Sequence, residues 1–147
     1  MSRIEIVNEQ SHLKLDKQKI RRVIRFVLKN EGAPRKRLTL LVADDRKISQ
    51  LHYRYLHKKS STDVIAFGAG QHRPKGFLSL QNDYLGDVVV SAQTALREHR
   101  TYGVSGREEF MRYVVHGVLH LLGYRDKTPR LFKKMHEKQE SYVSHFS

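Results

Sequence analysis

Apolar and polar positions follow two different periods along the first part of the chain, and they predict strands and a helix in turn. Residues 3–7 alternate as a short strand does, and residues 37–43 are β-branched and aliphatic enough for a second strand. Between them, a helix is expected to begin after Asp16 and to end at Gly32. Its apolar positions have helical spacing, and they are Ile20, Val23, Ile24, Val27 and Leu28.

A second helix and two further strands are predicted in the middle of the chain. Asp44 or Asp45 is expected to cap the helix, since both precede an apolar stripe at helical spacing. Residues 62–67 and 85–90 have the composition of two strands. Residues 68–84, rich in glycine and polar side chains, join these strands either as a hairpin loop or as a flexible flap.

Three helices are predicted for the last third of the chain. Ser91 is expected to cap a short helix that ends near Tyr102. The best-marked helix covers residues 105–122, because its first residue and Glu108 have the spacing of a capping box, and it ends at Gly123. The last helix begins at Thr128 and Pro129, and its expected apolar stripe consists of Leu131, Phe132, Met135 and Tyr142.

These elements predict a single α+β domain over residues 1–147, with a mixed sheet of about four strands and helices packed on it. The length of 147 residues is ordinary for one domain, and 39% apolar with 29% charged residues lies in the globular range. No stretch approaches the roughly 18 apolar residues of a membrane span, and the first 15 residues lack the apolar core of a secretory signal. We therefore expect a cytoplasmic protein with no membrane partner.

The charge of the chain is its first functional clue. Lysine and arginine number 28 against 15 acidic residues, a net charge of +13, and a domain this basic usually meets polyanions. The excess is concentrated in four segments, which are residues 14–25, 35–37, 54–59 and 125–138. A solvated surface explains any one segment as well as contact with RNA does, so only the total favours nucleic acid as the partner.

The candidate chemistry lies on the best-marked helix. The chain has no cysteine, so any metal must be held by histidine and carboxylate side chains. His116 and His120 are four residues apart, which places both imidazoles on one face with Cβ atoms about 5–6 Å apart. Their neighbours are apolar, and a buried imidazole without a partner costs on the order of 1–3 kcal/mol. A shared metal ion would satisfy both rings, whereas the alternative is two core histidines with ordinary hydrogen bonds.

Asp126 is the candidate third ligand. Gly123 can take a left-handed conformation that turns the chain back over the helix end, so that Asp126 faces the two histidines; the alternative is a solvated turn residue. Three protein ligands with a fourth position open are typical of catalytic zinc, and structural zinc has four. Gly117 stands where peptidases with the motif H-E-x-x-H have their glutamate base, so that class of peptidase is disfavoured.

The segment HGVLHLLGYRD, with LGDVVVS and STDVIAF upstream, resembles the YbeY family of metal-dependent bacterial endoribonucleases. The resemblance covers most of the chain and is strongest over residues 51–126. It implies a zinc-dependent enzyme that cleaves single-stranded RNA in ribosomal RNA maturation and ribosome quality control, with the small ribosomal subunit and its proteins as partners. By the same resemblance His116 and His120 are ligands of one zinc ion, and Asp126 stands where the family's third histidine usually is.

The chain departs from the family pattern at two positions. Arg125 and Asp126 replace an Asp-His pair, and an anionic third ligand leaves the zinc less Lewis-acidic than an imidazole would. Leu56 replaces a basic residue ahead of the STDVIAF strand. The candidates for that residue's phosphate contact are Arg54, Lys58 and Lys59.

Five other residues match the family's strands, and they are Thr62, Asp63, Phe67, Gly86 and Asp87. Asp63 and Asp87 either orient a ligand histidine through its second ring nitrogen or merely end a strand. Two other functions stay open. One is a metallohydrolase of another class; the other is an RNA- or ribosome-binding module with a structural metal, for which His136 is the nearest fourth ligand.

Overall fold

The computed structural model describes residues 3–56, 63–68, 83–99 and 103–146, and for residues 52 and 54–56 it describes the backbone alone. The strands are β1 (Ile4–Asn8), β2 (Arg37–Ala43), β3 (Val64–Gly68) and β4 (Tyr84–Ser91). The helices are α1 (Lys17–Asn30), α2 (Asp45–Leu56), α3 (Ala92–Glu98), α4 (Gly106–Leu121) and α5 (Pro129–His145).

The strands form one mixed sheet in the order β1-β2-β4-β3. β1, β2 and β4 run parallel, and β3 pairs antiparallel with β4. The predicted four-stranded α+β fold is therefore confirmed. The connection between β3 and β4, predicted to be a hairpin loop or a flap, lies outside the described residues apart from its ends.

Alternate residues of β4 pack against helices on the two faces of the sheet. Val88 and Val90 belong to the main core with α1 and α4, whereas Val89 packs with Ile48 of α2 on the opposite face. All three valines are buried, as their β-branched composition predicts. Among the described residues, no helix is long and apolar enough to cross a membrane.

Side-chain caps begin the helices where the sequence places them. The side chains of Asp16, Ser91, Ser105 and Thr128 each accept a hydrogen bond from the amide three residues on, at 3.0–3.2 Å. For α2 the cap is Asp44, whose Oδ1 accepts from the amide of Lys47 at 2.8 Å. Asp45 has a different role, because its carboxylate accepts from Ser91 Oγ at 2.6 Å and joins α2 to α3.

Two sequence expectations about helices are wrong. α3 ends at Glu98 rather than near Tyr102, and the amide of Val104 bonds back to the carbonyl of His99 at 3.1 Å. Leu131 and Phe132 do not join the buried stripe of α5, because they lie in its first turn and the buried face begins one turn later. That face consists of Met135, Gln139, Tyr142 and Val143.

Candidate metal centre

Helix α4 carries the two histidines at the edge of the core. A Cβ atom at Gly117 would lie 2.4 Å from Val88 Cγ1 and 3.0 Å from Val64 Cγ2, so the glycine lets α4 pack closely on β3 and β4. His116, the residue before it, and His120 each have about a quarter of the side chain exposed. Their Nε2 atoms are 3.0 Å apart.

The turn after α4 brings Asp126 to the same place. Gly123 has φ +105°, a left-handed conformation that favours glycine, and the amide of Tyr124 then donates to the carbonyl of Leu119 at 3.0 Å. The chain reverses, and Asp126 Oδ2 lies 3.5 Å from His120 Nε2 and 3.9 Å from His116 Nε2. The structure thus brings the three predicted residues together.

The three atoms fit a divalent cation. The point equidistant from His116 Nε2, His120 Nε2 and Asp126 Oδ2 lies about 2.0 Å from each, which is the length of zinc bonds to imidazole and carboxylate. His136, the candidate fourth ligand, is not part of this group; its ring lies against that of Phe132 instead. Within the described residues the group is an open set of three donors, which could hold a metal ion.

Outer hydrogen bonds determine which nitrogen of each histidine faces the centre. His120 Nδ1 lies 3.1 Å from the carbonyl of Tyr124, which can only accept, so this nitrogen carries the proton. His116 Nδ1 lies 2.7 Å from Gln139 Oε1, and the amide nitrogen of Gln139 donates to Glu140 at 3.0 Å. In the neutral tautomer that these bonds select, the proton is on Nδ1 and each ring turns the lone pair of Nε2 toward the centre, as metal ligation requires.

A charged network holds Gln139 in place. Arg112 donates to both oxygens of Glu140, at 2.8 and 2.9 Å, and to Glu109 at 2.8 Å. Burial raises the pKa of Glu140, but hydrogen bonds from Arg112 and Gln139 outweigh it and keep that pKa below its usual value. Glu140 thus stays ionised at neutral pH and accepts from the Gln139 amide, which leaves the amide oxygen facing His116.

The pKa of His120 is lowered by burial and, second, by the charge that a protonated His116 would carry, and Asp126 only partly opposes both effects. His120 is therefore neutral at pH 7. A neutral imidazole is the form that binds a metal ion, so His120 needs no costly deprotonation at physiological pH.

A cleft of about 860 Å³ opens beside the group. His116 and Asp126 line it together with other residues of α3, α4 and α5, among them Arg97, Phe132 and His136. A cleft of this volume admits a segment of a polymer as well as a small molecule.

The other residues that the sequence singled out lie apart from the centre or outside the described part of the chain. Asp87 accepts a hydrogen bond from the Tyr84 hydroxyl, and Asp63 lines the cleft. Neither orients a ligand histidine, because Gln139 and the Tyr124 carbonyl occupy the two Nδ1 positions. Phe67 is buried in the smaller core. Thr62, Lys58, Lys59 and the side chains of Arg54 and Leu56 lie outside the described residues.

Gly86 is a close-approach position. Its φ is +145°, and a Cβ atom there would lie 2.2 Å from the carbonyl oxygen of Phe67. The backbone of β3 can pair with β4 at this point only if residue 86 has no side chain.

Sequence reasoning missed Gln139 and Arg112. A signal for Gln139 existed, since it is a polar residue on the buried stripe of α5, where an unpaired amide would be costly. The role of the Tyr124 carbonyl had no such signal in the sequence, because every residue has a backbone carbonyl.

The chain is similar to known proteins over most of its length. The family model described as "Endoribonuclease YbeY" matches residues 5–147. Three proteins named endoribonuclease YbeY are similar to this chain. The protein from Syntrophus aciditrophicus is 35% identical over 82% of this chain and 74% of its own. Those from Aquifex aeolicus and Salinibacter ruber are 35% and 32% identical, over 88% and 96% of this chain and 83% and 90% of their own.

A solution structure of TM1509 from Thermotoga maritima shares the fold, with a TM-score of 0.65 and 21% identity over 97% of this chain and 87% of that one. The extent of the family match and the identity to its members lead to one conclusion. The chain belongs to the YbeY family of endoribonucleases.

Proposed function

We propose that this protein is a metal-dependent endoribonuclease that cleaves single-stranded RNA at His116, His120 and Asp126. The observation that carries the proposal is the convergence of three donor atoms, 3.0–3.9 Å apart, at the edge of an open cleft. Family membership supplies the reaction class, hydrolysis of RNA phosphodiester bonds. A net charge of +13 suits a polyanionic substrate.

The donor set defines what each residue does. His116 and His120 turn Nε2 toward the centre, and the carboxylate of Asp126 completes a donor set that favours a divalent cation. When bound, a zinc ion lowers the pKa of water and polarises a phosphoryl oxygen. Arg97 lines the cleft with about half of its side chain exposed, and its guanidinium pairs with Asp45 Oδ2 at 2.6 Å.

The proposal includes the resident metal, the natural substrate and the location. One zinc ion matches two imidazoles and a carboxylate with a position left open. The substrate is the single-stranded part of ribosomal RNA precursors, met in the cytoplasm at the small ribosomal subunit. The basic surface and the resemblance of residues 116–126 to the family motif support this assignment.

Metal content and cleavage, measured on the same protein samples, test the proposal. His116→Ala, His120→Ala and Asp126→Ala each remove one donor and should lose zinc, measured by mass spectrometry, and RNA cleavage together, with the circular dichroism of a folded protein. His12→Ala is the matched control, because His12 is an exposed histidine in the connection between β1 and α1.

The substrates are one RNA sequence offered as a single strand and as a duplex. The parent and His12→Ala should bind about one zinc and cleave the single strand preferentially. Full zinc content and cleavage in either α4 variant would exclude this centre. Zinc binding without cleavage of either RNA by the parent would exclude the nuclease activity while leaving the metal site.

A further inference from the structure

Phe132 is an exposed aromatic residue at the mouth of the cleft. Its exposed fraction is 53%, although its first-turn position on α5 would allow a polar residue. A single exposed apolar residue is ordinary, but this one lines the same cleft as His116 and Asp126. Leu131, the neighbouring exposed apolar residue, does not line that cleft.

The ring of His136 lies against that of Phe132. The two residues are one helical turn apart, their ring centroids are 5.7 Å apart and their planes differ by 12°. His136 is also exposed and lines the cleft. The result is an offset pair of nearly parallel, exposed rings that line the same cleft as His116 and Asp126.

Three cationic side chains lie along the same part of α5 as this pair. Arg130, Lys133 and Lys134 are exposed on the same two turns of α5. Exposed aromatic rings among cationic side chains are the combination that binds single-stranded nucleic acid, in which bases stack on the rings and phosphates meet the cations. Bases in a duplex are already stacked on their neighbours and cannot enter such a site.

We propose that Phe132 and His136 form a stacking platform for an unpaired base of the RNA substrate, which positions the adjoining phosphodiester beside His116 and Asp126. The platform rests on the proposed endoribonuclease function and extends it to substrate selection. Phe132 and His136 are specificity residues that hold the RNA strand, whereas the metal centre carries out the reaction.

Steady-state kinetics of the zinc-loaded protein on a single-stranded oligoribonucleotide test the platform. Phe132→Ala should raise KM about 5-fold or more, since a lost base-aromatic stack weakens binding by at least that factor, and should change kcat little. Phe132→Tyr keeps the ring and should keep KM. Leu131→Ala is the matched control, because it removes an exposed apolar side chain from the same helix outside the cleft.

A fluorescence measurement reports on stacking without any cleavage. The chain contains no tryptophan, so Phe132→Trp places a single indole at the platform. A cleavage-resistant phosphorothioate RNA should quench the indole as a single strand, and neither its duplex form nor an abasic strand of equal length should do so.

Three results would overturn the platform. They are an unchanged KM in Phe132→Ala, equal quenching by single strand and duplex, and no quenching by the phosphorothioate form of an RNA sequence that the parent cleaves. Each leaves the endoribonuclease function intact if the parent still cuts RNA. A parent that neither binds nor cleaves RNA would remove both proposals. If zinc content and melting temperature are unchanged in Phe132→Ala, a raised KM reports a loss of substrate binding by Phe132 and not damage to the structure.

Discussion

At the residue scale, a histidine can offer either ring nitrogen to a metal ion. Here the nitrogen that faces the centre is determined by hydrogen-bond acceptors that are not themselves metal ligands. His116 is held by a side chain, Gln139, and His120 by a backbone carbonyl, that of Tyr124. The two histidines therefore differ in how they respond to mutation. A substitution can remove the partner of His116, but no substitution removes the carbonyl that orients His120.

Gln139→Leu should weaken metal binding without removing a ligand. Leucine fits the buried position but leaves the Nδ1–H of His116 without an acceptor, so the ring is no longer held. Loss of such an outer partner typically reduces metal affinity about 10- to 100-fold. Chelator competition measures the effect, and Gln139→Glu, which restores an acceptor, should recover part of the affinity. Equal affinities of Gln139→Leu and the parent would show that Gln139 does not position His116.

At the scale of elements, the contact of α4 with the sheet places the histidines. The sequence identified Gly117 by the missing glutamate of a peptidase motif, and the structure adds a steric reason for glycine. The position faces Val88 and Val64 on the sheet. A longer side chain there would collide with these two valines, so the close contact of α4 with the sheet requires glycine.

Gly117→Ala should destabilise the protein although alanine is the better helix former. The added methyl overpacks the contact with β4, at a cost of about 1–3 kcal/mol that exceeds the helical gain of about 1 kcal/mol. Denaturant unfolding measures the change. Val88→Ala removes the nearer clashing atom, so the double variant should be more stable than the sum of the two single effects indicates. Strict additivity would contradict the close packing.

Glu31 connects three elements around the site. It follows α1 and accepts hydrogen bonds from Tyr124, at 2.6 Å, in the turn after α4 and from Tyr142 in α5, with Lys138 3.3 Å away. Burial and the bond to Glu31 raise the pKa of Tyr124 to about 12, so its hydroxyl remains a donor at any physiological pH. The contact fixes the residue whose carbonyl holds His120.

Glu31→Gln should reduce stability in a pH-dependent way. Burial raises the pKa of Glu31, but bonds from Tyr124, Tyr142 and Lys138 outweigh it, and the pKa lies below its usual 4.5. The stabilisation is therefore complete above about pH 4.5 and is lost as the pH falls through the lower, folded-state pKa. At pH 7 we expect a loss of about 1–3 kcal/mol in unfolding free energy.

The difference between Glu31→Gln and the parent should narrow in acid. Unfolding by denaturant at several pH values measures it, and Glu5→Gln, on the exposed side of β1, should match the parent throughout. A difference that stays constant from pH 7 to pH 3 would mean that the carboxylate charge at Glu31 has no part in the stabilisation.

Elements were predictable where their signals are local. The α4 helix, its cap at Ser105 and the histidine pair all follow from residues within one segment, and the structure agrees with each. Contacts between distant segments were not predictable. β4 lies between β2 and β3 in the sheet. Gln139, which contacts His116, lies on another helix and 23 residues further along the chain. The periodicity of apolar residues predicts which face of a helix is buried, but it does not predict which other element packs against that face.

At the scale of the whole molecule, the net positive charge attracts a polyanion over a longer range than any single contact does. A net charge of +13 on 147 residues raises the local concentration of a polyanion before any base is recognised. The metal centre and the aromatic pair on α5 then act on a strand that is already held by its phosphates. The affinity for RNA should accordingly depend on the salt concentration, whereas RNA cleavage should depend on the bound metal.

The affinity for single-stranded RNA should fall steeply with salt. Each neutralised phosphate releases condensed counterion, with a log-log slope of about −0.7 per contact, so four to six contacts give a slope between about −3 and −4. Fluorescence anisotropy of a labelled oligonucleotide over a range of potassium chloride measures it. Replacing Lys133 and Lys134 by glutamine should make the slope shallower by about 1.4, as expected for two lost phosphate contacts. An affinity that does not change between low and moderate salt would mean that the positive charge does not bind RNA.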